Sequence, residues 1–174
     1  MSQPKITHQN SKIVSLAALL LLLLGLGLRL YDLTDQPIDF HPTRQLRGAI
    51  VARGMYYEMQ PNVDPETRQK AINFWASTGE YEPPFLERMV AITYLVVGGE
   101  YPWIARIYNS LMWIIGGAAL FALSRRGTGS AISALIALAY YLILPFSVQA
   151  SRSFQPDPGM VMWLVLFAYA IYRW

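Results

Sequence analysis

The uncharged run at residues 13–28, "IVSLAALLLLLLGLGL", constrains the fold more than any other feature of the sequence. Extended to Tyr31, it is long enough to cross about 30 Å of hydrocarbon if the Arg29 side chain reaches up to the interface. A signal peptide is the alternative, because two lysines precede the run, but no small-x-small cleavage site follows it. We therefore predict that residues 13–31 form a first transmembrane helix.

Three further apolar runs predict three more transmembrane helices. The whole chain is 54% hydrophobic and 14% charged, a composition typical of membrane proteins. A shorter apolar run, residues 85–99, carries Arg88 and is too short beyond it to span a bilayer. The expected fold is an all-α polytopic bundle of about four spans, the last three at residues 104–124, 131–148 and 158–173.

The arginines predict the orientation of these spans. If residues 85–99 lie in the membrane interface, then Arg125, Arg126 and Arg173 fall on the same side as the lysines of the N-terminus, which satisfies the positive-inside rule. If residues 85–99 crossed the membrane, Arg125 and Arg126 would face outwards. We therefore expect a cytoplasmic N-terminus at residues 1–12 and two extracytoplasmic loops, residues 32–103 and 149–157.

The first predicted loop is too long to lack secondary structure. Thr43 can cap a helix that follows it, and Asp64 before Pro65 is a strong start signal for a second one. Both helices should lie along the membrane surface, and residues 85–99 should form an interfacial or re-entrant helix. The expected juxtamembrane helices cover about residues 44–58, 65–78 and 85–98.

The acidic residues are distributed unevenly. The chain has 11 of them, and all except Asp157 lie between residues 32 and 100. On the predicted topology, Asp157 faces the same side of the membrane as these other acids. The basic pI of about 9.2 does not indicate nucleic-acid binding, because no basic patch interleaved with aromatic residues occurs outside the apolar segments.

No short catalytic motif is present, since the chain contains no Gly-rich phosphate loop, HExxH or GxSxG sequence. Any chemistry must come from residues that the fold brings together. Each candidate also has a purely structural interpretation: Asp157 as a helix N-cap, Arg152 as its ion-pair partner, and Arg106 as a side chain reaching the membrane surface. The candidates are Asp39, His41, Arg44, Arg47, Arg53, Glu82, Arg106, Arg152 and Asp157.

Several stretches occur in the order found in one class of enzyme. They are "RLYDLTDQP", "AIVARGMYYE", "YEPPF", "ARI", "LSRRGTG" and "SRSFQPDP". In this order the chain resembles membrane glycosyltransferases of the GT-C class that take a sugar from a polyprenyl-phosphate carrier. This class includes the protein O-mannosyltransferases and the aminoarabinose transferase of lipid A. The resemblance covers nearly the whole chain.

The resemblance implies transfer of a sugar to a hydroxyl- or amine-bearing acceptor, on the extracytoplasmic side of a plasma or inner membrane. A carboxylate would accept the acceptor proton, and arginine would neutralise the leaving phosphate. On this basis Asp39, His41 and Asp157 are the candidate catalytic residues. A divalent metal at Asp39 and His41 is an alternative, although no ligand spacing supports one. The candidates for binding the carrier phosphate are Arg44, Arg47, Arg53, Arg106 and Arg152, with headgroup contact as the alternative for the first three.

The chain departs from its relatives at one position. Where they have an Asp-Glu pair in the first loop, this chain has Thr43, Arg44 and Gln45. A non-catalytic membrane subunit or scaffold with the same fold is therefore the alternative function. For a transferase, we expect Asp157 and either Asp39 or His41 to converge on one outward-facing cleft. Because relatives are longer, we also expect the 174 residues to be an N-terminal fragment that is inactive alone.

Overall fold

The fold was obtained as a computed structural model, which describes residues 8–79 and 82–174, with side chains from residue 11 onwards. Most of the lysine-containing N-terminal segment and Tyr81 of "YEPPF" therefore lie outside the described residues. All regular elements in the described ranges are α-helices, which confirms the predicted all-α class. They are α1 (His8–Leu30), α2 (Pro42–Glu58), α3 (Pro65–Ser77), α4 (Phe85–Val97), α5 (Trp103–Thr128), α6 (Ala131–Ile143), α7 (Pro145–Arg152) and α8 (Asp157–Arg173).

Two helices are long and apolar enough to cross a membrane, namely α1 over Ser11–Leu30 and α5 over its full length. Helices α6 and α7 together would make a third span, although they are bent by 59° at their junction. The predicted fourth span corresponds to α8, which has 17 residues and is shorter than the roughly 20 residues that a typical crossing needs. Residues 8–79 and 82–174 thus contain two or three candidate spans.

The prediction of one continuous helix at residues 131–148 is wrong, because the helix breaks at Leu144–Pro145. Proline has no backbone N–H to donate to the carbonyl four residues earlier. That carbonyl, on Tyr141, instead accepts a hydrogen bond from the indole Nε1 of Trp113 at 3.1 Å. The next carbonyl, on Leu142, accepts one from Nη1 of Arg29 at 3.0 Å. Side chains of α1 and α5 therefore satisfy two of the carbonyls that the break releases.

Arg29 does not extend to the membrane interface as predicted, but is completely buried in the bundle. Its Nη1 also donates to Gly25 O at 2.7 Å, and its Nε donates to the Ser151 hydroxyl at 2.6 Å. The guanidinium lies 5.9 Å from the centre of the Trp113 ring. Because buried polar groups need partners, Arg29 joins α1 to α6 and α7 at the bend.

Glycines permit close packing between the long helices. A Cβ on Gly117 of α5 would lie 3.3 Å from both Leu138 and Leu142 of α6. A Cβ on Gly116 would lie 3.3 Å from Met162 Cα of α8. Small residues at such interfaces let helix backbones approach each other, as is usual in membrane bundles.

A second core forms where α2 packs on α3 and α4. Val51, Ala52 and Met55 of α2 pack against Val90 and Tyr94 of α4, and all five are buried. At Gly54, an added Cβ would lie only 2.4 Å from Cβ of Trp75 in α3. This contact fixes the crossing point of α2 and α3.

The starts of α2 and α3 differ in how well the sequence predicted them. Asp64 caps α3 as predicted, and its carboxylate accepts a hydrogen bond from Thr67 N at 2.9 Å. The prediction that Thr43 caps α2 is wrong, because the helix begins at Pro42 with His41 as its N-cap residue. Proline fits the first helical position, where its missing N–H costs nothing.

Candidate functional site

A cavity of about 220 Å³ lies among the start of α2, the middle of α5, helix α7 and the start of α8. Its polar lining comes from both predicted loops: His41 and Arg44 from the first, and Gln155 and Asp157 from the second. Its aromatic lining consists of Phe40, Trp113 and Phe146. The cavity therefore combines a carboxylate, a guanidinium and an imidazole with apolar ring surfaces.

Asp157 is the first residue of α8, and the N-cap position belongs to Pro156. The interpretation of Asp157 as the N-cap is therefore wrong. Its carboxylate instead contacts Arg44, with Nη1 lying 3.4 Å from Oδ1 and 3.3 Å from Oδ2. The first turn of α2 and the first turn of α8 are thus joined by an ion pair at the edge of the cavity.

Arg44 also binds a second carboxylate. Its Nη2 lies 3.2 Å from Oε1 of Glu82, in the connection between α3 and α4. The sequence indicates only a turn for Glu82, because two prolines follow it. The structure places its carboxylate next to the ion pair of Arg44 with Asp157.

His41 has a strained backbone at the edge of the cavity, with φ 46° and ψ 64°. The left-handed region is uncommon for residues other than glycine, and such residues concentrate at functional sites. The ring packs edge-on against Phe40, with centroids 4.5 Å apart. The structure thus brings His41 and Asp157 into one cavity, although more than a hundred residues separate them in the chain.

Asp39 does not line this cavity, and its carboxylate is bound elsewhere. Oδ1 accepts hydrogen bonds from Gln45 Nε2 at 3.0 Å and from Arg106 Nη2 at 3.2 Å. Oδ2 lies 3.9 Å from Nε of Arg152. Two arginines and one amide thus surround the carboxylate, which is an arrangement that holds a loop in place.

Arg106 and Arg152 are mostly occupied by backbone carbonyls of residues 32–36. Arg106 is buried, and its guanidinium donates to the carbonyls of Asp32 at 3.2 Å and Gln36 at 3.1 Å. Arg152 donates to Asp32 O at 2.9 Å. Arg106 therefore does not extend to the membrane surface, and Arg152 pairs with Asp39 and not with Asp157. Both arginines therefore hold residues 32–36, which follow α1, in place.

Two glutamines and an asparagine, which sequence reasoning missed, hold the two loops together. Gln45 is fully buried; its Nε2 donates to Phe40 O at 2.6 Å, and its Oε1 accepts from Phe154 N at 3.0 Å. Gln155 also donates to Phe40 O, at 3.3 Å. Asn109 of α5 donates to Gln155 O at 2.8 Å. Neutral amides give no sequence signal for such a role, because it depends on partners from distant segments.

The two remaining arginines of the predicted set lie away from the main cavity. Arg53 pairs with Glu100 at 3.1 Å. The hydroxyl of Tyr57 donates to the same carboxylate at 2.6 Å, and this hydrogen bond, together with burial, raises the pKa of Tyr57. Arg47 donates to Gly79 O at 2.7 Å and lines a small cavity of about 30 Å³ with Arg44 and Glu82.

Glu87 of α4 also lines this small cavity and was missed by sequence reasoning. It is only 5% exposed. Burial raises the pKa of its carboxyl group, and the charge of Glu82 contributes in the same direction, while Arg47 opposes it.

The alternative of a divalent metal at Asp39 and His41 finds no ligand set in the described ranges. There, no group of three or more His, Asp or Glu side chains is close enough to hold an ion. Asp39 is already bound to Arg106. His41 lines the cavity of about 220 Å³, which Asp39 does not line.

Comparison with known proteins supports the resemblance seen in the sequence. The model of the dolichyl-phosphate-mannose-protein mannosyltransferase family matches residues 81–174, more than half of the chain. No curated protein and no solved structure matches. The matched range contains Trp113, Phe146 and Asp157 of the cavity, whereas His41 and Arg44 precede it. The chain therefore belongs to the dolichyl-phosphate-mannose-protein mannosyltransferase family.

Proposed function

We propose that this protein is a membrane glycosyltransferase that moves a sugar from a polyprenyl-phosphate carrier to a hydroxyl- or amine-bearing acceptor on the extracytoplasmic side. The observation that carries the proposal is the cavity of about 220 Å³ in which His41, Arg44 and Asp157 meet. These residue types can perform acid–base chemistry and bind a phosphate. The family match supports the same class of reaction.

In this proposal Asp157 accepts the proton of the acceptor as the new glycosidic bond forms, and the carrier phosphate leaves with the electrons of the bond that breaks. Arg44 directs its remaining N–H groups to that phosphate, because a guanidinium suits phosphate geometry. His41 is the second group able to accept a proton. Phe146, which lines the cavity and is 66% exposed, supplies a flat apolar surface against which a sugar ring can pack.

Asp39 has a structural role in this proposal. Its carboxylate neutralises Arg106, which is 1% exposed, and also faces Arg152. The oxygens of this carboxylate already face two arginines and an amide, which leaves it no free face toward the cavity. Arg53 and Arg106 are likewise left out of the phosphate site, because Glu100 and the carbonyls after α1 occupy them.

The membrane placement is also a proposal. Helix α4 packs one face on α2 and exposes an apolar stripe on the other: Phe85 is 76% exposed, Ile92 50% and Val96 82%. An apolar stripe of this kind would be unfavourable in water and fits the lipid interface. We propose that α2, α3 and α4 lie along the extracytoplasmic surface, and that α8 completes four crossings of a plasma or inner membrane.

The test uses membranes that carry the intact gene product, with polyprenyl-phosphate mannose labelled in the sugar. We expect transfer of label and release of polyprenyl phosphate, and a loss of about 10²–10⁴-fold in Asp157→Asn, because a general base contributes that much. Glu66→Gln is the matched control, since Glu66 is exposed and pairs with Lys70 on α3. Wild-type membranes that consume none of this donor, under conditions where a known family member does, would contradict the proposal for this sugar.

A non-catalytic subunit or scaffold is the second candidate, and one observation favours it. Where the resemblance implies an acidic pair, this chain has Arg44, which pairs with Asp157, and Gln45, which bonds to the backbone of the second loop. A scaffold predicts that Asp157→Asn leaves any transfer activity of the membranes unchanged. The same assay therefore separates the two functions.

A further inference from the structure

One guanidinium holds two carboxylates at the edge of the main cavity. Arg44 Nη2 lies 3.2 Å from Glu82 Oε1, and Arg44 Nη1 lies 3.3 Å from Asp157 Oδ2. The three residues belong to the first turn of α2, the connection before α4, and the first turn of α8. All three side chains are between 41% and 47% exposed. Ion pairs with this exposure contribute little to stability, so stability gives a weak reason for the arrangement.

The arrangement leaves Asp157 incompletely paired. Arginine binds a single carboxylate best with two parallel N–H donors. Here Nη2 of Arg44 contacts Glu82, and only Nη1 contacts Asp157. The distances from Nη1 to Oδ2 and Oδ1 of Asp157 are long, at 3.3 and 3.4 Å. Within the described part of the chain, Oδ2 of Asp157 has no hydrogen-bond donor of good geometry. Arg44 therefore satisfies this carboxylate only in part.

We infer that Glu82 is a positioning residue of the site, which keeps Arg44 from neutralising Asp157 completely. This inference rests on the proposed function, in which Asp157 is the base. If Glu82 loses its charge, both Nη atoms of Arg44 become free to turn to Asp157. The closer cation and the loss of a neighbouring negative charge both lower the affinity of Asp157 for a proton.

The other groups around Asp157 are the same in every variant used below. His41 is the further titratable group of the cavity on the α2 side, and Arg47 and Glu87 lie behind Glu82 in the small cavity. The parts of α5, α7 and α8 that line the main cavity contribute the uncharged residues Trp113, Phe146, Ala150, Pro158 and Val161. A difference in pH dependence between the wild type and Glu82→Gln can therefore be attributed to Glu82, because the other residues around Asp157 are unchanged.

The first test is the pH dependence of transfer by the intact gene product. In Glu82→Gln, kcat should fall about tenfold, and the acidic limb of the rate profile should move to lower pH, because Asp157 becomes a weaker base. In Arg44→Ala, Glu82 and Asp157 face each other as like charges, so the limb should move to higher pH. Glu82→Asp should restore part of the rate, and Glu66→Gln should leave both rate and profile unchanged. An acidic limb that stays in place in Glu82→Gln would overturn the inference.

The second test does not need activity. These 174 residues contain no cysteine, so Asp157→Cys introduces one thiol whose alkylation rate can be followed against pH. The thiol pKa should fall when Glu82→Gln is added and rise when Arg44→Ala is added, while Glu66→Gln should not change it. A thiol pKa unaffected by Glu82→Gln overturns the inference even if the protein transfers sugar. A responsive thiol in the variant, together with wild-type membranes that transfer no sugar, supports the geometry and rejects the proposed function.

Discussion

Arg44 Nη1 lies 3.3 Å from Asp157 Oδ2, although 113 residues separate the two positions in the chain. This ion pair closes one edge of a cavity with aromatic walls. It also places a cation where the resemblance to glycosyltransferases implies an acidic residue. In the proposed transfer reaction, the behaviour of Asp157 therefore depends on how Arg44 is divided between Asp157 and Glu82.

The position of Arg44 predicts a short crosslink. Cysteines at 44 and 157 should be joined by a short bifunctional reagent, because the native side chains touch. Cysteines at 53 and 157 are the control, since Arg53 lies about 13 Å further along α2 at 1.5 Å per residue and pairs with Glu100. Equal crosslinking of both pairs would mean that α2 does not lie along the cavity as described.

Asp39→Asn should lower stability without acting at the site. The change removes the countercharge of the buried Arg106 and should cost about 1.5–3 kcal/mol, the range for hydrogen bonds to charged groups. Thermal unfolding in detergent, followed by tryptophan fluorescence, measures it. Asp157→Asn is the comparison, and its exposed ion pair should be worth only about 0–1 kcal/mol. Equal stability of Asp39→Asn and wild type would contradict the structural role.

Gly54→Ala should separate α2 from α3. The new Cβ would lie 2.4 Å from Cβ of Trp75, so the helices must shift, at a cost of about 1–3 kcal/mol for overpacking. Gly27→Ala in α1 is the matched control, because nothing lies within 4 Å of its added Cβ. That variant should be as stable as wild type or slightly more stable, since alanine favours helix. The same unfolding assay compares the two.

Glu87 predicts a pH dependence of stability. Burial raises the pKa of its carboxyl group in the folded protein above the ordinary value of 4.5. Because the folded state binds this proton more tightly, the contribution of Glu87 to stability is greatest below pH 4.5 and is lost as pH rises through the folded pKa. Glu87→Gln should therefore be more stable than wild type at neutral pH, and the difference should shrink at acidic pH. A constant difference at all pH values would show that the charge of Glu87 is not the cause.

The sequence by itself determined the class of fold and the family. The apolar runs at residues 13–31 and 104–124 predicted α1 and α5. A long apolar segment in lipid has no water for its backbone polar groups and satisfies them within an α-helix. Asp64 and Pro65 determined the start of α3 through a local cap. The order of short motifs indicated the glycosyltransferase resemblance, which the family match confirmed.

Only the tertiary structure decided how the charged side chains are paired. Arg29 binds the Ser151 hydroxyl, Arg106 binds Asp39, and Arg44 binds both Glu82 and Asp157. Every one of these partners is at least 38 residues away along the chain, so no local pattern could identify it. A buried or half-buried charge must find a partner wherever the packed helices bring one within reach. The sequence supplied the candidate groups, and helix packing decided which of them meet in the cavity.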